Sequence, residues 1–262
     1  MMKSFSTTKH ATIQMIVGLL LVLSSCYAQA TQSPITFVVD DWCPYTCEPH
    51  SEKPGIAVEV INAVFGKDNV QFKSMEWRDA INAVEAGQAD GLAAALTSDA
   101  PFFIFQKSAI TTSTICFFVP QTLSWRYKDT TSLNDKNLIT VEGFSYGEIL
   151  DNYIAQTRRT NKNRIVELKD KDVAIQRFAF YQASENNVIV ADNRVFNHQL
   201  QNYNQYQVPL KFHNGGCLVG EDLHIALSPK NKKRSLTLAH KFELGLQQLK
   251  SNGELAKILA KY

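Results

Sequence analysis

The sequence predicts an α/β protein made of two units of similar size, and three observations carry that prediction. Short apolar, β-branched runs alternate with stretches of helical period. Over the first hundred residues the order reads β-α-β-α-β, the unit of a mostly parallel sheet covered by helices. The middle of the chain then repeats the same scheme without any repeat of sequence, and the tail adds a strand and two helices.

The first unit opens with the apolar run Ile35 to Val39, which has no helical period and reads as a buried strand. It stops at Asp40-Asp41-Trp42-Cys43-Pro44-Tyr45-Thr46-Cys47. In open α/β sheets, ligands sit at the carboxyl edge of the strands, so this cluster is the first place to look for a site. Gly55 to Phe65 has helical spacing of Ile56, Val58, Val60, Ile61, Val64 and Phe65, with Gly66 as its stop. Val70 to Met75 alternates like a strand. Trp77 to Ala86 is an amphipathic helix ended by Gly87, and Ala89 to Leu96 is a strand of small residues.

In the middle, Leu138 to Val141 is a strand, and Gly143-Phe144-Ser145-Tyr146-Gly147 turns into a helix that runs to about Gln156. Arg164 to Leu168 is a strand, Asp172 to Tyr181 a helix and Asn187 to Ala191 a strand, after which Asp192-Asn193 caps another helix. In the tail, Leu223 to Leu227 is a strand and Ser235 to Leu249 a helix; Gly253 breaks it, and a last short helix ends at Tyr262. No Pro/Gly/Ser linker separates the units, so structured segments must join them. Ile110 to Val119 and Gly215 to Asp222 are the candidates.

The chain has 262 residues, 45% of them hydrophobic, which suffices for two modest cores. Lys3 and Lys9 precede a largely apolar stretch from Ile13 to Leu23, and Ala28-Gln29-Ala30 offers a small-x-small cleavage site. This is the pattern of an export signal over residues 1–30, with a competing lipobox reading of Leu23-Ser24-Ser25-Cys26 in which Cys26 is lipidated. Loss of the two lysines takes the formal charge from +2 to zero, which leaves no electrostatic footprint for nucleic acid.

Four cysteines follow: Cys43, Cys47, Cys116 and Cys217. An even count in an oxidising compartment points to disulfides, with three connectivities open. A lone C-x-x-x-C with no histidine at ligand spacing is a poor zinc signature, so neither metal nor cofactor is expected. His10, His50, His198, His213, His224 and His240 are scattered, and none pairs with a Ser or Cys nucleophile at a recognisable spacing. There is no H-E-x-x-H, P-loop or G-x-G-x-x-G, so the expectation is a non-enzyme.

Four stretches together resemble the bacterial extracellular solute-binding proteins of family 3: Asp40-Asp41-Trp42-Cys43-Pro44-Tyr45; Met75-Glu76-Trp77 with Gly87-Gln88-Ala89-Asp90-Gly91; Gly143 to Gly147; and Ala191-Asp192-Asn193. The run Leu223 to Ser228, followed by Leu249 to Leu255, is similar to the family's closing strand and helices. The resemblance implies the type II periplasmic binding protein fold, two α/β lobes joined by two crossover strands. It places residues 31–112 and 218–262 in lobe 1 and 113–217 in lobe 2. It also implies the pairs Cys116–Cys217, near the crossovers, and Cys43–Cys47, stapling the first loop.

The same resemblance puts Trp42 and Trp77 against the ligand, with Tyr45 beside them, Thr97 as a hydrogen-bonding hydroxyl and Asp192 as the group that holds a ligand amine. A helix N-cap alone would equally explain an aspartate at 192. Ser145 and the turn around it precede a helix, whose N-terminus can receive an anionic group. The departure from the family pattern is informative. Relatives that bind α-amino acids carry an arginine a few residues after the threonine, where it clamps the ligand carboxylate. Here the stretch is Thr97-Ser98-Asp99-Ala100-Pro101-Phe102-Phe103-Ile104-Phe105, with Lys107 the nearest base. Carboxylates at Asp40, Asp41, Asp99 and Asp192 remain, which suits a cationic or amine-bearing small molecule.

The expectation is thus a monomeric periplasmic receptor that delivers its ligand to an ABC permease in the inner membrane. A sensing module for a membrane receptor or kinase, and a dehydratase-type enzyme on the same fold, are the alternatives.

Overall fold

A computed structural model of the chain describes residues 33–142, 144–168, 186–206 and 209–262. The export signal, Cys26, Gly143 and the helix expected over Asp172 to Tyr181 lie outside the described residues. The body from Ile35 to Tyr262 contains two mixed sheets.

The first sheet has strands β1 (Ile35–Val39), β2 (Val70–Ser74), β3 (Gly91–Leu96), β4 (Ile104–Phe105), β5 (Thr111–Ser113) and β11 (Glu221–Leu227), ordered β2-β1-β3-β11-β4 with β5 beside β11. Strands β1, β2 and β3 run parallel, and β11 returns antiparallel to β3. The second sheet has β6 (Ile115–Pro120), β7 (Asn137–Val141), β8 (Ile165–Leu168), β9 (Asn187–Asp192) and β10 (Phe212–Cys217), ordered β10-β6-β9-β7-β8. Here β7 is parallel to β8 and β9, while β6 is antiparallel to β9 and β10.

Helices α1 (Ile56–Phe65), α2 (Trp77–Glu85), α5 (Lys232–Ser251) and α6 (Glu254–Leu259) serve the first sheet; α3 (Glu148–Asn161) and α4 (Asn193–Tyr206) serve the second. The expected helix from Ser235 to Leu249 extends by three residues at its start and two at its end, because Lys232 to Arg234 have no breaker among them and Gly253 supplies the left-handed stop.

Burial follows the strand period of two. Phe37 and Val39 join Ile56, Ile61, Phe242 and Leu246 on one face, whereas Val38 meets Ala80 and Val84 of α2 on the other. In β6, Cys116 and Phe118 pack with Phe196 of α4, and Phe117 and Val119 with Leu150 and Ile154 of α3. Each such Leu or Phe contributes about 1.5–3 kcal/mol by leaving water.

The chain passes between the sheets twice. Only Thr114 separates β5 from β6, and residues 218–220 separate β10 from β11. The two passages are cross-linked where Cys116 faces Cys217 across β6 and β10, and that disulfide is formed, as is Cys43–Cys47. No helix among the described residues is long and apolar enough to cross a membrane.

Candidate functional site

The loop after β1 is shaped by its own backbone. Trp42 N–H donates to Thr46 O at 2.9 Å and Tyr45 N–H donates to Trp42 O at 2.9 Å, with Cys43–Cys47 closing the turn. The arrangement drives Tyr45 inward until its side chain is fully buried, with the partly buried Trp42 ring tilted against it at 42° and 4.5 Å between ring centroids. Gly55 makes the fold of this loop possible. Its φ is 104°, and a methyl group there would lie 2.6 Å from Tyr45 O and 2.9 Å from Cys47 N.

Tyr45 reaches across to the second sheet. Its hydroxyl donates to the Asp192 carboxylate, with oxygens at 3.0 and 3.2 Å. Asp192 ends β9 and is itself buried, 6% exposed. It also accepts from Ser113 Oγ at 2.8 Å, Thr114 N–H at 3.0 Å, Arg194 N–H at 2.9 Å and Val195 N–H at 3.0 Å. The aspartate is therefore an N-cap for α4 and, at the same time, a tie between the first loop, the crossover and the second sheet. Burial, reinforced by the Asp192 charge, holds the Tyr45 phenol well above its ordinary pKa.

In this arrangement both Tyr45 and Asp192 are buried, and the Asp192 carboxylate is shared among Tyr45, Ser113, Thr114, Arg194 and Val195. Trp42 does stand beside that tie, partly exposed. Arg194, partly buried in the first turn of α4, makes no ion pair among the described residues, and its charge acts on Tyr45.

The other expected residues are distributed around a second cluster. Thr97 is exposed in the turn after β3. Its neighbour Ser98 donates from Oγ to Glu221 Oε2 at 3.2 Å. Glu221 opens β11 opposite Ser113, at the return crossover. Its other oxygen points toward the second half, since a methyl group on Gly147 would lie 3.7 Å from Oε1. Gly147, at φ 88°, is the N-cap of α3. Asp99 accepts from Leu96 N–H at 3.0 Å; burial raises its pKa, the Leu96 N–H partly offsets this, and the Glu221 charge adds to the rise. No Lys or Arg pairs with Asp99 or Glu221 among the described residues. Lys107 lies elsewhere, where its backbone N–H meets Glu243 of α5.

Ser145 is exposed, but its hydroxyl donates to Asp151 Oδ2 at 2.6 Å, and Tyr146 N–H donates to Asp151 Oδ1 at 2.9 Å. Asp151 thus fastens the turn that leads into α3, while the N-cap Gly147 has no side-chain cap hydrogen bond. Asp41 is exposed, and its charge acts on His198 of α4. Burial and Lys53 lower the His198 pKa against that pull. Trp77, partly buried, packs on the core between β1 and α2.

A separate cavity of about 150 Å3 lies in the second half, lined by Thr140, Tyr146, Asp151, Arg158 and Glu167, with Arg158 and Glu167 paired to each other. Glu221 is the group that sequence reasoning missed. Its only signal is an acid inside the segment expected to cross between the units.

The fold has many solved counterparts. An ancestral arginine-binding protein bound to glutamine matches with a TM-score of 0.63 at 18% identity, over 88% of this chain and 98% of that one. A histidine kinase sensor domain with similarity to periplasmic binding proteins gives 0.65 at 17%, over 88% and 96%. The ancestral amino acid-binding protein AncCDT-1, a precursor of cyclohexadienyl dehydratase, gives 0.62 at 15%, over 94% and 99%. Identities this low establish the shared fold, the two-lobed α/β architecture of periplasmic binding proteins. No curated protein sequence matches. The sequence profile of one family does match, over residues 35–262. The chain belongs to the bacterial extracellular solute-binding proteins, family 3.

Proposed function

We propose that this protein is a periplasmic receptor that captures a small amine-bearing ligand between its two halves and hands it to an ABC importer. The observation that carries the reading is the Ser98–Asp99–Glu221 cluster. Partly buried Asp99 and exposed Glu221 stand together at the edge of the first sheet, Glu221 near Gly147 at the start of α3, with no Lys or Arg of the described residues paired to either. Asp99 is partly out of water and feels the like charge of Glu221, a cost that a positive group joining them relieves. A ligand ammonium, with Ser98 and Thr97 as neighbouring hydroxyls, supplies that charge. Trp42 offers an apolar wall, and a cation over an indole face gains about 0.5–2 kcal/mol. Trp77, Ser145 and Asp41 are assigned to the margins of the same cleft. Residues 31–112 with 218–262, and 113–217, form the two closing lobes; residues 1–30 direct export, with lipidation at Cys26 as the other processing route.

The test is thermal-shift screening of the full chain against matched panels of amines, α-amino acids and organic acids. Stabilisation by amines is the expected result. Stabilisation by dicarboxylates or ordinary α-amino acids alone would contradict the reading. Stabilisation by nothing would move the assignment to a sensing module with a protein partner, and turnover of a bound compound would move it to the dehydratase class.

A further inference from the structure

The cavity between β7, β8 and α3 has a buried floor and an exposed rim. Thr140 of β7 is 2% exposed and Tyr146 is 4% exposed, whereas Phe144 is 47% exposed and the Arg158 side chain 45%. The cavity therefore opens to solvent past Phe144 and Arg158. It shares no residue with the Ser98–Asp99–Glu221 cluster or with the Tyr45–Asp192 tie.

The polar groups left open in it are neutral. Its charges are already matched, since Arg158 pairs with Glu167, and Asp151 accepts from Ser145 Oγ at 2.6 Å and from Tyr146 N–H at 2.9 Å. Two hydroxyls are not matched. Thr140 Oγ1 is buried and has no hydrogen-bond partner among the described residues. The Tyr146 hydroxyl accepts from Val141 N–H at 2.7 Å, and its own proton is donated to no group among the described residues. Burial raises the Tyr146 pKa, the Val141 N–H partly offsets this, and the Asp151 and Glu167 charges add to the rise, so the proton stays in place. A buried hydroxyl without a partner costs stability, and one that lines a cavity marks a place where a bound molecule supplies the missing bond.

We infer that this cavity is an accessory binding site for a small neutral molecule with one hydroxyl and a compact apolar body, the hydroxyl bonding Thr140 and Tyr146. The size agrees: a dry cavity of about 150 Å3 admits a benzene-sized body, and this one has that volume. Ile154 and Phe144 supply the apolar walls. An anion entering here meets Asp151 and Glu167, and a cation has to compete with Arg158 for Glu167, so a neutral molecule is the class that disturbs neither pairing. The site is independent of the reading of the cleft.

The test titrates phenol into the protein and follows backbone amide shifts by NMR, with toluene as the match lacking the hydroxyl and benzoate as the match bearing a charge. Saturable phenol shifts are expected at Thr140, Tyr146 and Ile154. Phenol should bind more tightly than toluene by about five- to tenfold, the worth of one hydrogen bond, and benzoate should not bind there. Thr140→Val keeps the shape of the side chain and removes its hydroxyl. It should weaken phenol by about the same five- to tenfold and leave toluene unchanged. Without ligand its unfolding temperature should equal or exceed that of the natural chain, because the hydroxyl removed has no partner. Phe144→Ala, on the exposed rim, should weaken phenol and toluene together.

Absence of saturable phenol shifts at these residues overturns the site. Equal binding of phenol and toluene, or phenol binding that survives Thr140→Val, overturns the hydroxyl-bearing ligand class, and a preference for benzoate overturns the neutral class. A lower unfolding temperature of Thr140→Val shows that ordered water already serves the hydroxyl and overturns the inference as well. None of these results bears on the amine reading of the cleft, so the two fail separately.

Discussion

Replacing Tyr45 with phenylalanine isolates the tie between the two halves. The substitution keeps the ring packed under Trp42 and removes only the hydroxyl that donates to Asp192. A hydrogen bond to a charged partner contributes about 1.5–3 kcal/mol. Asp192 retains its bonds from Ser113, Thr114, Arg194 and Val195, so it is not left as an unpaired buried charge, and the loss falls near the low end, about 1.5–2 kcal/mol. For a body of this size that lowers Tm by about 3–8 °C.

The pH dependence gives a sharper signature. The Tyr45 pKa is raised in the folded protein, first by burial and then by Asp192, whereas the unfolded chain releases the same proton near 10. The stabilisation is therefore complete below about pH 10 and is lost as pH rises beyond it, at about 1.4 kcal/mol per pH unit. The gap between the natural chain and Tyr45→Phe, measured by urea unfolding, should be constant from pH 7 to 9, be mostly lost at pH 11 and close by about pH 11.5. A gap below about 0.5 kcal/mol at pH 7 is what surface substitutions give. That result, or a gap unchanged up to pH 11, would refute the tie.

Three further outcomes follow from the same geometry. Asp192→Ala strands the Ser113, Thr114, Arg194 and Val195 donors and uncaps α4, and should cost about 3–5 kcal/mol in urea unfolding, well beyond Tyr45→Phe. Gly55→Ala places a methyl group against Tyr45 O and Cys47 N at positive φ, so it should destabilise by at least about 1–3 kcal/mol and expose Trp42, read as a red-shifted fluorescence maximum. Removing the Cys116–Cys217 bridge as a double alanine variant releases a loop of 101 residues, and on the chain-entropy estimate lowers stability by about 4–5 kcal/mol, checked by chemical denaturation.

The alternation of apolar runs and helical periods made both sheets legible, because each buries strands on both faces and leaves long apolar stretches such as Phe117 to Val119. Asp192 shows where local pattern runs out. Its cap role is written beside it, in the two residues whose N–H groups it accepts, and can be read from sequence. Its burial depends on Tyr45, 147 positions away, and on Ser113 and Thr114, and no local pattern encodes that meeting.

Glu221 was invisible for the converse reason. An acid on a crossover reads as solvent-facing, and Glu221 is exposed; only the structure brings Ser98 and Gly147 to it from separate elements. The absence of an arginine between Thr97 and Phe105 was plain in the sequence, and the structure adds that the backbone N–H of Lys107 is engaged by Glu243.

Native mass spectrometry of the protein, purified without denaturation, tests the central claim most directly. The account predicts a co-purifying small molecule that carries an amine and no adjacent carboxylate, lost from Glu221→Gln. A co-purifying α-amino acid or organic anion, retained by Glu221→Gln, would contradict it.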